Sequence, residues 1–157
     1  MKLTSFSFLL ILNFHHSVVA ETVLTLTTGE KQHCLFLPPS PNAHPLIRIN
    51  TCGTGPRREV WSLQKVDKQY IRIQAYHSER QLCIQTTEDP DTPVVMDDCS
   101  SEVGQQWRLK CDKSKNNCQI MSHGEKCLQK LADGFGSWLK VDQCSERSMW
   151  TLKEVTV

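Results

Sequence analysis

The apolar positions of this chain run in short alternating bursts. Val23-Leu24-Thr25-Leu26, Tyr70-Ile71-Arg72-Ile73-Gln74 and Cys118-Gln119-Ile120-Met121 each place apolar residues two apart. Clusters of Gly, Pro, Asn, Asp or Ser bound each burst, which is the pattern of a half-buried strand with a turn at either end. No stretch sustains the 3.6-residue period of a helix. The bursts belong to three similar passages. The first, about 23-64, contains Cys34-Leu35-Phe36-Leu37, then Pro45-Leu46-Ile47-Arg48-Ile49-Asn50-Thr51-Cys52, then Glu59-Val60-Trp61-Ser62-Leu63. The second, about 70-110, contains Cys83-Ile84-Gln85-Thr86, Pro93-Val94-Val95-Met96-Asp97-Asp98-Cys99 and Gln105-Gln106-Trp107-Arg108-Leu109. The third, about 118-154, contains Cys127-Leu128-Gln129-Lys130, Trp138-Leu139-Lys140-Val141-Asp142-Gln143-Cys144 and Ser148-Met149-Trp150-Thr151-Leu152. Four features recur in order: a strand, Cys-apolar, apolar-x-apolar before a second Cys, and Trp with Leu two residues on. Copies of roughly 40 residues with about four strands each predict an all-β body of about twelve short strands and pseudo-threefold symmetry. A propeller is the structural competitor, but three copies are fewer than its usual four to eight blades.

The cysteines sharpen this picture. Cys34 to Cys52 spans 18 positions, Cys83 to Cys99 spans 16 and Cys127 to Cys144 spans 17. Near-equal intervals suggest one equivalent disulfide per copy, and Cys111 and Cys118 remain to close the polar loop 112–117. Eight cysteines allow 105 pairings in principle, so the count alone fixes none. The rival reading is zinc held by Cys111, Cys118, His123 and Cys127, although the spacing matches no C-x2-C clamp.

Residues 1-20 resemble an export signal. Lys2 is their single charge, Leu9-Leu10-Ile11-Leu12 is an apolar centre and Val18-Val19-Ala20 offers small residues before Glu21. Cleavage there leaves one expected domain over 21-157, with 17 basic and 17 acidic side chains. Export predicts a secreted, extracellular protein in an oxidising compartment, where disulfides persist. Balanced charge excludes the broad basic surface of a general nucleic-acid binder. No later apolar run approaches the roughly 18 residues of a membrane span.

The recurring residues resemble the ricin-B-type β-trefoil family. Cys-Leu/Ile opens each copy, apolar-x-apolar precedes the second Cys, and Gln105-Gln106-Trp107 reproduces the family's closing Gln-x-Trp. Glu59-Val60-Trp61 and Ser148-Met149-Trp150 are drifted versions. With three bridges inside the copies, the chain is also similar in style to the cysteine-rich domain of mannose-receptor proteins. The resemblance implies a β-trefoil lectin scaffold with up to one shallow sugar pocket per copy. A sugar site needs a carboxylate for hydroxyl protons, an aromatic face for the C–H side of the ring and an amide for orientation. In galactose-binding relatives the carboxylate stands two after the first cysteine, where this chain has Phe36, Gln85 and Gln129. The aromatic stands two before the second cysteine, where it has Asn50, Asp97 and Asp142. An Asn precedes the Gln of Gln-x-Trp, where it has Arg58, Gly104 and Arg147. None of the nine positions carries the galactose-type residue.

Trp61, Trp107 and Trp150 recur at equivalent points, which marks them as core. Trp138 has no such counterpart, Pro45 and Pro93 standing in the matching place, and it follows Gly134-Phe135-Gly136-Ser137. With Leu139 and Val141 facing inward, the expected arrangement puts Trp138 across the strand from Lys140, and Lys140 beside Asp142 on the outward side. An outward aromatic beside basic groups suits a sulfated or otherwise anionic sugar, and a cap on the barrel's open end is the plainer role for it. Trp138, Lys140, Asp142 and Arg147 are the candidate carbohydrate-binding residues. Glu88-Asp89-Pro90-Asp91 reads as a solvated turn rather than a calcium loop. Lys110, Lys113 and Lys115 read as a charged edge. His33, His44, His77 and His123 have no catalytic or metal spacing. No catalytic motif, metal site, cofactor motif or Asn-x-Ser/Thr sequon is present. The expectation is a small secreted lectin whose partner is a glycan or glycoprotein. The alternative is a secreted protein-interaction module, an inhibitor or toxin-like ligand, gripping a protein surface with trefoil loops.

Overall fold

The computed structural model describes residues 22–28, 33–39, 44–131 and 137–156. The expected leader over 1-20 and the glycines of 134–136 lie outside the described residues. Period-two alternation becomes strands in each copy, here called lobes. Lobe 1 holds β1 (Thr22–Thr28), β2 (His33–Phe36), β3 (Arg48–Thr51) and β4 (Trp61–Lys65). Lobe 2 holds β5 (Ile71–Ala75), β6 (Leu82–Gln85), β7 (Val95–Asp98) and β8 (Arg108–Cys111). Lobe 3 holds β9 (Asn117–Met121), β10 (Cys127–Lys130), β11 (Leu139–Asp142) and β12 (Met149–Glu154). A short 3-10 turn precedes the last strand of each lobe: Pro56–Arg58, Val103–Gln105 and Glu146–Ser148.

The outer strands of the lobes form a ring. β1 pairs with β4, β4 with β5, β8 with β9, β9 with β12, and β12 with β1. Between β5 and β8 the ring closes at one residue pair, where Ile71 and Trp107 exchange N–H···O bonds of 2.8 Å. Closure removes the unpaired edges that an open sheet would expose. The inner strands make three hairpins, β2–β3, β6–β7 and β10–β11. They lock together over one end of the ring: Met96 N–H donates to the Pro45 carbonyl at 2.9 Å, Ile49 to Ser137 at 3.0 Å and Val94 to Leu139 at 2.8 Å. A six-stranded barrel under a triangle of hairpins is a β-trefoil.

Inward positions stack as triplets, one residue per lobe. Leu26, Ile73 and Ile120 form one. Leu35, Ile84 and Leu128 form another, as do Ile47, Val94 and Leu139, and Ile49, Met96 and Val141; all are at most 1% exposed. Trp61, Trp107 and Trp150 complete the core and are equally buried. Burying each removes some 150–250 Å² from water, about 4–6 kcal/mol at 25 cal/mol per Å². Each indole N–H must then find an acceptor. It donates to the residue after the lobe's first cysteine: Trp61 to the Leu35 carbonyl at 3.1 Å, Trp107 to Ile84 at 3.0 Å and Trp150 to Leu128 at 2.8 Å. Disulfides Cys34–Cys52, Cys83–Cys99 and Cys127–Cys144 each clamp one hairpin, with Cα atoms 4.9 Å apart. Cys111–Cys118 joins direct cross-strand partners on β8 and β9. All eight sulfurs are therefore consumed, which removes the thiolates a zinc site would need.

Candidate functional site

Each lobe braces the loop after its second cysteine with the residue two before the core tryptophan. Glu59 Oε2 accepts the Gly53 N–H at 2.8 Å, Gln105 Oε1 accepts the Ser100 N–H at 2.8 Å, and Ser148 Oγ accepts the Ser145 N–H at 2.9 Å. All three side chains are buried. The drifted Glu59-Val60-Trp61 and Ser148-Met149-Trp150 thus perform the structural task of Gln105-Gln106-Trp107. Gln105 also donates to Gln85 Oε1 at 2.8 Å, so Gln85 is tied into this brace. The residues two before the second cysteine behave alike as well. Asn50, Asp97 and Asp142 each accept the next residue's N–H, at 2.9, 2.8 and 2.8 Å. All three side chains are therefore turned onto their own backbone near the ends of β3, β7 and β11. Phe36 packs on the 53–55 loop, since a Cβ on Gly55 would lie 2.8 Å from its ring. At Gly104 a Cβ would lie 2.3 Å from the Thr86 carbonyl, so this copy admits no side chain there.

The outer face of lobe 3 differs from the expected arrangement. Leu139 and Val141 are fully buried, and residues two apart on a strand share a face, so Trp138, Lys140 and Asp142 lie along one outward side. Trp138 does not stand across from Lys140. Nor does it match Pro45. Trp138 bridges Arg48 while Leu46 bridges Val95, and this cyclic register makes Leu46 and Pro93 its counterparts. The barrel's open end is lined instead by Leu63, Leu109 and Leu152, which with Lys115, Lys153, Glu154 and others bound a cavity of ≈ 800 Å³.

Bridged residues point to the same side of a sheet. Phe36 pairs with Arg48, Arg48 with Trp138, and the Leu131 N–H donates to the Trp138 carbonyl at 2.8 Å. Phe36, Arg48, Trp138 and Leu131 therefore form one row across lobes 1 and 3. Trp138 is 40% exposed and Leu131 50%, whereas the other three tryptophans are buried. The equivalent row between lobes 1 and 2 runs through Gln85, Val95 and Leu46, with neither aromatic nor cation. Lys140 Nζ lies 2.6 Å from Asp142 Oδ2. That ammonium, and then the Gln143 N–H, hold the Asp142 carboxyl below its ordinary 3.8. Arg147 is exposed on the 146–148 turn, and among the described residues no hydrogen bond or ion pair joins it to Trp138, Lys140 or Asp142. Arg48 is the residue missed by reading each copy separately, because its partner belongs to another copy.

The remaining candidates are structural. Asp89 accepts the Asp91 N–H at 2.9 Å and the Thr92 hydroxyl at 2.9 Å, forming a turn, and these two bonds lower its pKa in that order. Asp112 organises the Lys113–Lys115 turn through Ser114 and Asn117. His44 meets Asp97 at 3.3 Å, and His123 stacks on Tyr70 with centroids 5.1 Å apart. No group of three metal-ligating side chains converges among the described residues.

No protein-family model matches the chain, and no curated protein matches it. Its backbone is similar to ThreeFoil, a designed three-fold symmetric protein, with a TM-score of 0.73 at 18% identity over 85% of this chain and 99% of that one. The chain is a β-trefoil. The same trefoil is found in SeviL bound to asialo-GM1 saccharide, with a TM-score of 0.66 at 16% identity, covering 87% of this chain and 99% of that one. A lectin of Polyporus squamosus bound to a human-type influenza-binding epitope has a TM-score of 0.68 at 13% identity, covering 85% of this trefoil and 49% of that chain.

Proposed function

We propose that this trefoil is a secreted lectin that binds an anionic, sulfated or carboxylated glycan on the outer face shared by lobes 1 and 3. The observation that carries the reading is the exposure of Trp138 in a row with Arg48, with Lys140 two residues further along the same face. An indole presents a flat apolar surface to the C–H side of a sugar ring, and a guanidinium forks onto a sulfate or carboxylate. Arg48 carries the main charge, because Lys140 already has Asp142 as a partner. Solved neighbours with bound saccharides support sugar as the ligand class. Four disulfides suit the extracellular compartment. A glycan array at high protein concentration, repeated with Trp138→Ala and Arg48→Gln, tests the reading. Binding of sulfated or carboxylated glycans that both variants weaken at least tenfold is expected. Silence of the native protein on every glycan would overturn it.

A second reading is favoured by one observation: all nine galactose-type positions hold residues that serve the fold or carry different chemistry. A trefoil freed from that pocket can present its loops to a protein surface. Recovery of partners only through their glycans, lost on deglycosylation, would argue against this alternative.

A further inference from the structure

The lobes meet at equivalent junctions, and two of these contain a telling difference. Between lobes 2 and 3, Glu88 reaches across with its carboxylate. Oε2 accepts the Ser122 hydroxyl at 2.7 Å, Oε1 accepts the Gly124 N–H at 3.2 Å, and the Glu88 carbonyl accepts the Lys126 ammonium. Glu88 does this from a left-handed backbone with φ 66°, a conformation that is strained for a non-glycine residue. The junction is therefore built to hold a carboxylate.

Between lobes 1 and 2 the corresponding carboxylate is missing. Glu88 stands five residues after Cys83, and five after Cys34 is Pro39. Ala75 pairs with Trp61, and the Arg108–Met121 pair puts Ser122 beside Trp107, so Ala75 is the counterpart of Ser122. Two residues on, His77 takes the place of Gly124. The space that Glu88 fills in one junction is an open cleft of ≈ 350 Å³ in the other, and Arg57, Arg58, His77 and Arg80 line it. Arg80 is paired with Asp98 at 2.8 Å, while the Arg57 and Arg58 guanidinium groups have no acidic partner among the described residues. Both ride on the exposed 56–58 turn that the buried Glu59 anchors through Gly53 and Gly55.

We propose that this cleft binds the carboxylate of an acidic sugar, a uronic or sialic acid, which takes from outside the place that Glu88 fills from within the chain. The proposal rests on the carbohydrate-binding reading but uses a different face. Its volume falls at the lower end of small-ligand pockets, about 300–1,000 Å³. Glu79 and Ser78 stand in the same lining and accept hydroxyl protons, as a polyhydroxylated acid requires. Pro38, Pro39 and Pro45 form a wall without N–H donors, which offers C–H surface to a ring and no ladder to a peptide backbone.

The test is titration of the disulfide-bonded protein with free glucuronate and free N-acetylneuraminate, followed through the Arg57 and Arg58 side-chain NMR signals. Glucose, galactose and an acidic tripeptide are the comparators. Both acids should shift those signals and the neutral sugars should not. Arg57→Gln with Arg58→Gln on the exposed turn should weaken binding at least tenfold. Shifts with the tripeptide but not with the sugar acids would overturn the ligand class. Array binding that Trp138→Ala abolishes, with Arg57 and Arg58 unmoved by either acid, would overturn this site and leave the lobe 1–3 reading standing. Sugar-acid shifts at the arginines, with an array on which Trp138→Ala has no effect, would do the reverse.

Discussion

Changing Glu59 to Gln would give lobe 1 the Gln-x-Trp ending that lobe 2 has in Gln105-Gln106-Trp107, and the structure predicts that it destabilises the protein. Glu59 uses both oxygens, Oε2 toward the Gly53 N–H at 2.8 Å and Oε1 toward the Gly55 N–H at 3.0 Å. A glutamine has one oxygen, so its NH2 would face one of those two donors. The loss is one charge-assisted hydrogen bond at a half-buried loop, about 2 kcal/mol. At about 3–4 °C per kcal/mol for a domain of this size, Tm should fall by about 7 °C. Gln105→Glu is the mirror experiment. Gln105 Nε2 donates to Gln85 Oε1 at 2.8 Å and to the Asp98 carbonyl at 2.9 Å, so a carboxylate there would face two acceptors. It too should lower Tm, by at least as much. Both variants are read by thermal unfolding of the oxidised protein at neutral pH. An E59Q protein as stable as the native one, or more so, would refute the claim that each lobe tailors this brace to its own loop.

Replacing Cys111 and Cys118 together by Ser should cost about 2.5 kcal/mol from the short loop they close, against about 3 kcal/mol for the Cys34–Cys52 pair, as measured by chemical denaturation. Asp142, held down first by Lys140, Asp89 by the Asp91 N–H, Asp112 by the Ser114 hydroxyl and Asp67 by the Gln69 N–H all have carboxyls lowered from 3.8. A lowered folded-state pKa stabilises in full above the unfolded value and is lost as pH falls through the folded one. Unfolding midpoints should therefore be flat above about pH 5 and decline below about pH 4; a midpoint unchanged down to pH 2 would contradict this.

The fold was legible because its core is written three times. A strand period of two, a cysteine, and a tryptophan at a fixed distance are local signals, and Trp61, Trp107 and Trp150 each donate to the residue beside a first cysteine. The intervals of 18, 16 and 17 positions are those of the three hairpin bridges. The face of Trp138 was harder to read. Alternation puts Trp138 and Lys140 on one side, against the expectation that they stand across the strand from each other, and the neighbour of Trp138 comes from lobe 1, so no spacing within one copy predicts Arg48. The cleft of Arg57, Arg58 and Arg80 was illegible for the same reason, since it is assembled from two lobes. The acidic run starting at Glu88 looked like a plain turn because its essential contact, Ser122, lies 34 positions away.

The ring's least secured seam lies within lobe 2. Every other neighbouring pair of barrel strands shares a ladder, while β5 and β8 meet only through Ile71 and Trp107. Arg72, next in line, turns its guanidinium to the Ser100 carbonyl in the loop after β7 at 3.0 Å rather than to β8, and its Nε is buried without an acceptor among the described residues. Solvent should enter the interior here first, so amide deuteration should reach Ile71 and Trp107 before the β1–β12 seam. A body that looks symmetric would then unzip from one side.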